Sequence, residues 1–148
     1  MDRRTLADTV ATRLAGVTNT TGYFGQIGRP LPGLESTTPK DPPAKSVQDP
    51  RVAPYFIYYP PAPGTHPDAT LCGTGTPLVG GHVVTAVAGD VEDLAALVDR
   101  IDTLLHQWHI DMGSMLTRRP GYEAPQLIDN THTPNRLYMR LEYLATTT

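Results

Sequence analysis

Two histidines in the second half of the chain, His106 and His109, have the spacing that comes nearest to a metal site. Residues three apart on a helix share a face, so both rings could reach one ion. A zinc site needs three or four ligands, and a third at helical spacing is missing because Asp111 falls past the expected helix end. The other histidines are scattered along the chain, at His66, His82 and His132. We therefore expect no metal, and for His66, His82 and His132 ordinary hydrogen bonding or exposure to solvent rather than catalysis.

No group of residues supplies a nucleophile with a base beside it. The single cysteine, Cys72, cannot form an internal disulfide and is expected to behave as a small, half-buried apolar residue. Residues 73–77 are rich in Gly and Thr but lack the Gly-Lys-Ser/Thr ending of a phosphate-binding loop. The tyrosines of Tyr55–Tyr59, with His82, leave a small ligand-binding domain open as an alternative. The sequence favours a structural or assembly protein without a cofactor over an enzyme.

The composition indicates one domain, over residues 1–148, with a modest core and long loops. Hydrophobic residues make up 39% and charged residues 18% of the chain, both slightly low for a compact domain, and 15 prolines and 13 glycines take up the difference. Because the formal net charge is −3 and no basic patch is present, direct nucleic-acid binding is disfavoured. The lone cysteine fits a reducing cytoplasm, and we expect neither a signal peptide nor a membrane span.

Two helices and a long final strand give the clearest periodic patterns. Apolar residues from Leu6 to Val17 recur at helical spacing, which predicts an amphipathic helix over residues 2–15. A second helix begins after Asp90, which can cap it, and its apolar face is expected to extend from residue 94 to Trp108. In residues 136–146 apolar and polar side chains alternate, which predicts a strand with one buried face.

Shorter strands and long loops are predicted between these elements. The strands are expected at residues 23–27, 51–60, 78–88 and 111–118. The loops, rich in Pro and Gly, are expected at residues 28–50, 60–77 and 119–134. The first loop contains six prolines and cannot be a helix or a central strand. We expect the 28–50 and 60–77 loops to contact neighbouring chains or a partner protein, so that deletion of residues 32–45 spares the fold and weakens assembly.

Three further segments have recognisable motifs. Arg51-Val-Ala-Pro-Tyr55 with Tyr59-Pro60 resembles a strand entrance of the form R-x-x-P-Y…Y-P. Residues 83–90, followed by the second helix, are similar to a unit of strand, Gly-Asp and helix, and residues 133–138 to a Pro-x-Arg closing unit. In their order and spacing, these segments resemble the tail terminator, or tail-completion, proteins of siphophages. The resemblance covers the chain from about Leu6 onward, except the 28–50 loop. The type is that of phages infecting high-GC actinobacteria.

The resemblance implies an α+β fold, with a mostly antiparallel sheet of four to five strands backed by two helices and with long Pro/Gly-rich loops. It also implies a virion protein without catalytic residues, six copies of which form a ring at the head-proximal end of the tail after assembly in the host cytoplasm. The ring would cap the tail tube, end its polymerisation and provide the face to which the head docks.

The implied partners are further copies of the chain in a hexamer, the tail tube protein and a head-completion (stopper or adaptor) protein. DNA would pass through the ring without specific binding, and no membrane would be involved. A head-completion or adaptor (connector) ring on the portal side is the alternative assembly role.

The candidate contacts with neighbouring subunits or partners are eight polar or aromatic residues, most of them in the predicted loops. They are Arg29, Lys40, Lys45, Tyr58, Asp68, Arg118, Arg119 and Tyr122. A tyrosine combines a large contact area with a polar tip. The run Tyr55–Tyr59 is therefore expected to serve both the core and an interface.

Overall fold

The computed structural model describes residues 3–17, 19–61, 81–112, 114–118 and 126–147, and these form an α+β fold. In chain order the elements are α1 (Arg3–Leu14), β1 (Thr21–Phe24), β2 (Tyr55–Tyr59), β3 (His82–Ala88), α2 (Val91–Leu105), β4 (Trp108–Asp111), β5 (Ser114–Arg118), β6 (Leu127–Asp129) and β7 (Arg136–Thr147). The predicted fold class is confirmed, but the described part of the chain has seven strands rather than four to five. Neither described helix is long and apolar enough to span a bilayer.

β7 is the central strand of the sheet. The strand order is β1-β2-β3-β7-β5-β4, and β6 pairs with the beginning of β7. With its 12 residues, β7 pairs with β3 along one edge and with β6 and then β5 along the other. All these pairs are antiparallel, while β1 pairs with β2 in parallel. Both edges of β7 are therefore paired with strands of the same chain.

Both helices contribute to one main core with the sheet. The carboxylate of Asp90 caps α2 by accepting a hydrogen bond from the backbone N–H of Asp93 at 2.8 Å. The buried side of α2 consists of Leu94, Leu97, Val98, Ile101 and Leu105. The same core includes Val10, Ala11 and Leu14 from α1 and Leu141 and Tyr143 from β7. The helical and alternating patterns of the sequence therefore place the correct faces of α2 and β7 inside.

α2 ends earlier than predicted, and a hairpin follows it. The helix stops at Leu105, and Gln107 turns the chain with a positive φ of 58°. Trp108 therefore begins β4 instead of extending the helical face. The prediction of one strand over residues 111–118 is wrong, because β4 and β5 pair with each other across a turn at which Met112 is fully exposed.

Two other elements differ from the prediction. β1 begins and ends earlier than residues 23–27, because Gly25 leaves the strand with a φ of 78°. β6 lies within the predicted loop at 119–134, where it pairs with the first residues of β7. A strand of three residues is too short to show a period of two, so the pattern could not predict it.

The Pro-rich segment at residues 28–50 packs against its own subunit. Leu31 is fully buried in the main core, and the Tyr23 hydroxyl donates a hydrogen bond to the carbonyl oxygen of Pro39 at 2.9 Å. The backbone N–H of Ala53 donates to the Pro43 carbonyl, also at 2.9 Å. Deletion of residues 32–45 would remove contacts of this kind. We therefore expect it to destabilise the subunit, contrary to the expectation from the sequence.

Candidate interaction surfaces

The structure describes five of the eight candidate contact residues, since Asp68, Arg119 and Tyr122 lie outside the described residues. Tyr58 is fully buried, and its hydroxyl forms a hydrogen bond with His82 inside the core. The prediction that Tyr58 contacts a partner is therefore wrong for this fold. The cause is the alternation of faces along β2, which places Tyr58 on the helix side of the sheet, while its neighbour Tyr59 is partly exposed.

The other four candidates lie on separate parts of the fold. Arg29 follows β1, and its guanidinium is 4.9 Å from the centre of the Phe24 ring. Lys40 is exposed in the Pro-rich segment, and Lys45 lies beside the first turn of α2. Arg118 ends β5, where its guanidinium is 3.9 Å from a carboxylate near the other end of α2. These residues do not form one site.

Five charged side chains surround the start of α2 and form what we call the charge cluster. They are Lys45, Asp49, Arg51, Asp90 and Asp93. Lys45 Nζ lies 2.6 Å from Asp93 Oδ2 and 3.4 Å from Asp90 Oδ2. Arg51 Nη1 is 3.2 Å from Asp90, and the same guanidinium donates two hydrogen bonds, of 2.9 and 3.1 Å, to Asp49. The cluster connects the Pro-rich segment to the N-terminus of α2, where the helix dipole also favours carboxylates.

The contacts within the charge cluster favour the ionised forms of Lys45, Asp49, Arg51 and Asp90. Hydrogen bonds from Arg51 lower the pKa of Asp49 to about 2. The pKa of Asp90 is lowered first by the backbone N–H of Asp93 and then by Lys45. The hydrogen bond to Asp93 raises the pKa of Lys45. Since the cluster faces water, solvent and salt screen these attractions.

The three segments with the family resemblance meet at this end of the sheet. Arg51, from the strand entrance, reaches Asp90 of the Gly-Asp unit at 3.2 Å. Arg136 Nη1, from the closing unit, donates a hydrogen bond to the Tyr55 hydroxyl at 3.1 Å, and its guanidinium lies 5.7 Å from the Tyr55 ring centre. Gly89 leaves no room for a side chain, because a Cβ atom there would come within 2.7 Å of the Cβ atom of Arg51. The motif residues therefore contact one another.

Two tyrosine hydroxyls form hydrogen bonds at the opposite end of α2, and we call them the buried hydroxyl pairs. Tyr58 Oη lies 2.6 Å from Nδ1 of His82, and the two rings are stacked. Tyr143 Oη donates to Asp102 Oδ1 at 2.9 Å. Burial lowers the pKa of His82 to about 4, so the ring is neutral at neutral pH. Burial also raises the pKa of both tyrosines, which keeps their hydroxyls protonated.

The buried hydroxyl pairs do not form an open ligand site. Tyr58, His82 and Tyr143 are all fully buried. Within the described part of the chain, His82 Nε2 has no hydrogen-bond partner. The first pair therefore joins β2 to β3, and the second joins β7 to the partly exposed Asp102 of α2.

The end of α2 separates the two histidines considered as metal ligands. His106 directly follows the helix, and its Nδ1 accepts a hydrogen bond from the backbone N–H of Arg118 at 3.0 Å. His109 lies on β4 and is exposed. Over the described ranges, no group of three or more His, Cys, Asp or Glu residues is placed to hold a metal ion.

Two surface features appear that the sequence pattern does not reveal. One is a groove of about 470 Å³ between the outer side of α1 and the first residue of β4, which we call the α1–β4 groove. It is lined by Thr5, Asp8, Thr9, Thr12, Arg13 and Trp108. The other is the 44–52 hairpin, in which Ala44 pairs with Val52 and Val47 at the tip is fully exposed. The groove depends on contacts between residues distant in sequence, and the hairpin is a short turn without a repeated pattern, so periodicity carries no signal for either.

Comparison of the chain with protein-family models, with curated proteins and with solved structures finds no match. The fold class therefore rests on the structure described above. The function rests on the motif residues, on their contacts and on the surfaces that the subunit presents.

Proposed function

We propose that the chain is a structural subunit of a siphophage tail and that six copies form a ring capping the head-proximal end of the tail tube. The ring ends polymerisation of the tube and provides the face to which a head-completion protein binds. The observation that supports this most is the contact between the resembling segments, Arg51 with Asp90 and Tyr55 with Arg136. Residues that are distant in sequence but contact each other in the fold form one structural unit, as expected of motifs that specify a common subunit shape.

The size of the subunit suits a channel for DNA. A chain of 148 residues has a radius of gyration of about 15 Å, which corresponds to a sphere about 38 Å across. Six touching spheres enclose a channel about one subunit diameter wide, whereas four leave only about 16 Å, less than the width of a DNA duplex. Each copy has a formal net charge of −3, so the ring would bind the phosphate backbone weakly and let DNA pass.

A structural role also agrees with where the perturbed titratable groups lie. The pKa values of Tyr58, His82 and Tyr143 are shifted by burial, and these side chains bond to partners within the core. Asp49 and Asp90, whose pKa values are lowered, bond to cations on the surface. Shifted pKa values can mark catalytic sites, but here the shifted groups connect parts of the fold. The proposal therefore assigns no catalytic residue.

The test is genetic. In a phage that carries this chain, an early stop codon replaces the functional protein, and the lysate is examined by electron microscopy beside a lysate complemented with the intact chain. We expect overlong tails, or tails without heads, in the first lysate and normal virions in the second. Tails of normal length joined to filled heads in the first lysate would contradict the proposal.

The same experiment distinguishes the adaptor alternative. A ring on the portal side would leave tail length normal, and purified rings would bind portal and not tube protein. Tails of normal length that fail to join heads, together with binding to portal alone, would therefore move the chain to the head side of the junction.

A further inference from the structure

We propose that the tip of the 44–52 hairpin of one subunit docks into the α1–β4 groove of a second copy of this chain. The inference rests on the proposed ring and names the contact that would hold neighbouring subunits together. It follows from three observations: the hairpin is a preformed projection, the groove can receive an apolar tip, and the two features lie at opposite ends of the subunit.

The 44–52 hairpin is fixed in place within its own subunit. The backbone N–H of Lys45 donates to the Arg51 carbonyl at 2.8 Å. At the turn, Ser46 N–H donates to the Asp49 carbonyl at 3.3 Å, and the Asp49 N–H donates to Ser46 Oγ at 3.0 Å. The side chain of Lys45 holds the base of the hairpin against α2, with Nζ 2.6 Å from a carboxylate oxygen. A projection that is already ordered loses little conformational entropy when it binds.

Val47 has no packing role in its own subunit, since its side chain is fully exposed. Turns favour Gly, Pro, Asn, Asp and Ser for conformational reasons, and none of these reasons applies to a valine. A single exposed valine is ordinary on a protein surface. This one differs because a hydrogen-bonded hairpin and an ion pair hold it at the end of a projection.

The α1–β4 groove has a size and composition that suit such a tip. Its volume is about 470 Å³, and it is a shallow depression open to solvent, which suits the tip of a hairpin better than an enclosed ligand. Trp108 is half-buried on one wall, and the guanidinium of Arg13 lies 5.1 Å from its ring centre. Trp and Arg are the side chains that most often dominate the energy of an interface.

The polar groups of the groove and of the hairpin tip are also complementary. The hydroxyls of Thr9 and Thr12 donate to carbonyls of their own helix, at 2.7 and 2.8 Å, so they offer a partner only acceptor lone pairs. The tip supplies donors: Ser46 accepts a hydrogen bond through Oγ and keeps its own proton free to donate, and Gln48 has an amide. Docking would therefore bury Val47 without leaving these polar groups unpaired.

The two features cannot meet within one subunit. The hairpin contacts the start of α2, whereas Trp108 follows its last residue, Leu105, and Arg13 donates a hydrogen bond to the carbonyl of Leu104 at 3.1 Å. A helix of 15 residues is about 22 Å long, which keeps the tip and the groove apart. Each copy therefore offers a projection at one end and a groove at the other. Such a head-to-tail contact generates a ring when the rotation between copies closes.

The test is cross-linking between two single-cysteine variants, in the full chain with Cys72→Ser. One variant carries Val47→Cys and the other Thr12→Cys, and they are mixed with a short bis-maleimide. We expect a covalent dimer from the mixture and at least about tenfold less from either variant alone, because a head-to-tail contact does not bring two copies of position 47 together. The matched control replaces Val47→Cys by Met112→Cys, since Met112 is equally exposed but outside the proposed contact.

The second arm of the test introduces a charge at position 47 and measures self-association by native mass spectrometry. Val47→Asp should weaken self-association by about tenfold or more, while Met112→Asp should leave it unchanged. If oligomers form without the 47–12 cross-link and survive Val47→Asp, the docking inference is wrong and the proposed function stands. If tail tube protein blocks maleimide labelling of Thr12→Cys while no 47–12 cross-link forms, the groove belongs to another partner and the inference is overturned. If no oligomer forms under any condition, both the inference and the ring are contradicted.

Discussion

The two ends of α2 connect distant parts of the chain by different means. At the N-terminal end, the charge cluster joins the Pro-rich segment to the helix through ion pairs that face water. At the C-terminal end, hydrogen bonds of two buried tyrosines join β2 to β3 and β7 to α2. Exposed ion pairs contribute little and are screened by salt, whereas a buried polar group that loses its partner is costly. The contacts at the C-terminal end of α2 therefore contribute more to stability than the ion pairs at its N-terminal end. The residues at the N-terminal end remain accessible to a binding partner.

The largest expected effect lies between these two ends. Ile101 is fully buried near the middle of α2. Its replacement in Ile101→Ala should lower the free energy of unfolding by about 2–5 kcal/mol, because the lost methyl groups leave a cavity. The measurement is chemical denaturation, with Thr103→Ala on the exposed side of the same helix as the control. A loss below about 0.5 kcal/mol for Ile101→Ala, the level typical of surface sites, would show that the core is misassigned.

Lowering the pH should weaken the contacts at the two ends of α2 in different pH ranges. The folded state lowers the pKa of His82 from 6.5 to about 4, so the unfolded chain takes up this proton first. The contribution of His82 should lower the stability by up to about 3 kcal/mol as the pH drops from about 6.5 to about 4, and this contribution should not grow below that range. The pKa of Asp49 is lowered from 3.8 to about 2, so the stabilisation by its carboxylate is present above about pH 3.8 and lost on going down to about pH 2.

The variant His82→Gln checks the first of these ranges. Glutamine can still bond with the Tyr58 hydroxyl but does not titrate. The free energy of unfolding, measured by denaturation at several pH values from 7 to 4, should therefore change less with pH for His82→Gln than for the natural chain. The exposed His109→Gln serves as the control and should keep the original slope. Identical slopes for His82→Gln and the natural chain would mean that His82 is not buried as described.

The pair Tyr58–His82 should also be strongly coupled in a double-mutant cycle. Tyr58→Phe leaves His82 Nδ1 without its partner, and His82→Leu leaves the Tyr58 hydroxyl without its own. Each single change should cost about 1–3 kcal/mol, whereas the double change should cost less than their sum because no polar group is then left unpaired. Strictly additive values, measured by denaturation in urea, would contradict the hydrogen bond.

The smallest expected effect lies in the charge cluster. Lys45→Ala removes two ion pairs and leaves the half-buried carboxylates of Asp90 and Asp93, which water reaches once the lysine is gone. Stability should fall less than for any change above, and the loss should shrink further at high salt, because the attraction is screened. Lys40→Ala is the control, since Lys40 forms no ion pair with a residue that the structure describes. If Lys45→Ala costs as much as Ile101→Ala, the contrast between the two ends fails.

The sequence predicted the parts of the fold whose patterns are long and local. The alternation in β7 and the apolar spacing and cap of α2 were sufficient, because each is repeated over more than ten residues. The spacing of Trp108 continues the apolar face and therefore predicts that this residue lies on the helix. The turn that separates Trp108 from α2 depends on the left-handed backbone conformation of Gln107. Glutamine is not a residue type that predicts this conformation.

The candidate contacts were harder to predict for a different reason. Whether Tyr58 or Tyr59 faces the core depends on the register of β2 in the sheet, which the run of tyrosines does not fix. Lys45 was expected to meet a neighbour, but it pairs with Asp93, a residue distant in sequence. The contacts at the charge cluster and the α1–β4 groove arise only when separate elements pack together.

The central claim is that this subunit forms a ring of six that binds the end of a tail tube. Native mass spectrometry of the full chain, alone and mixed with tail tube protein, tests it most directly. We predict a closed complex of six copies and, in the mixture, the same six copies bound at the end of the tube oligomers, with tube growth stopped. A chain that remains monomeric in both samples while the tube protein polymerises without limit would contradict the account.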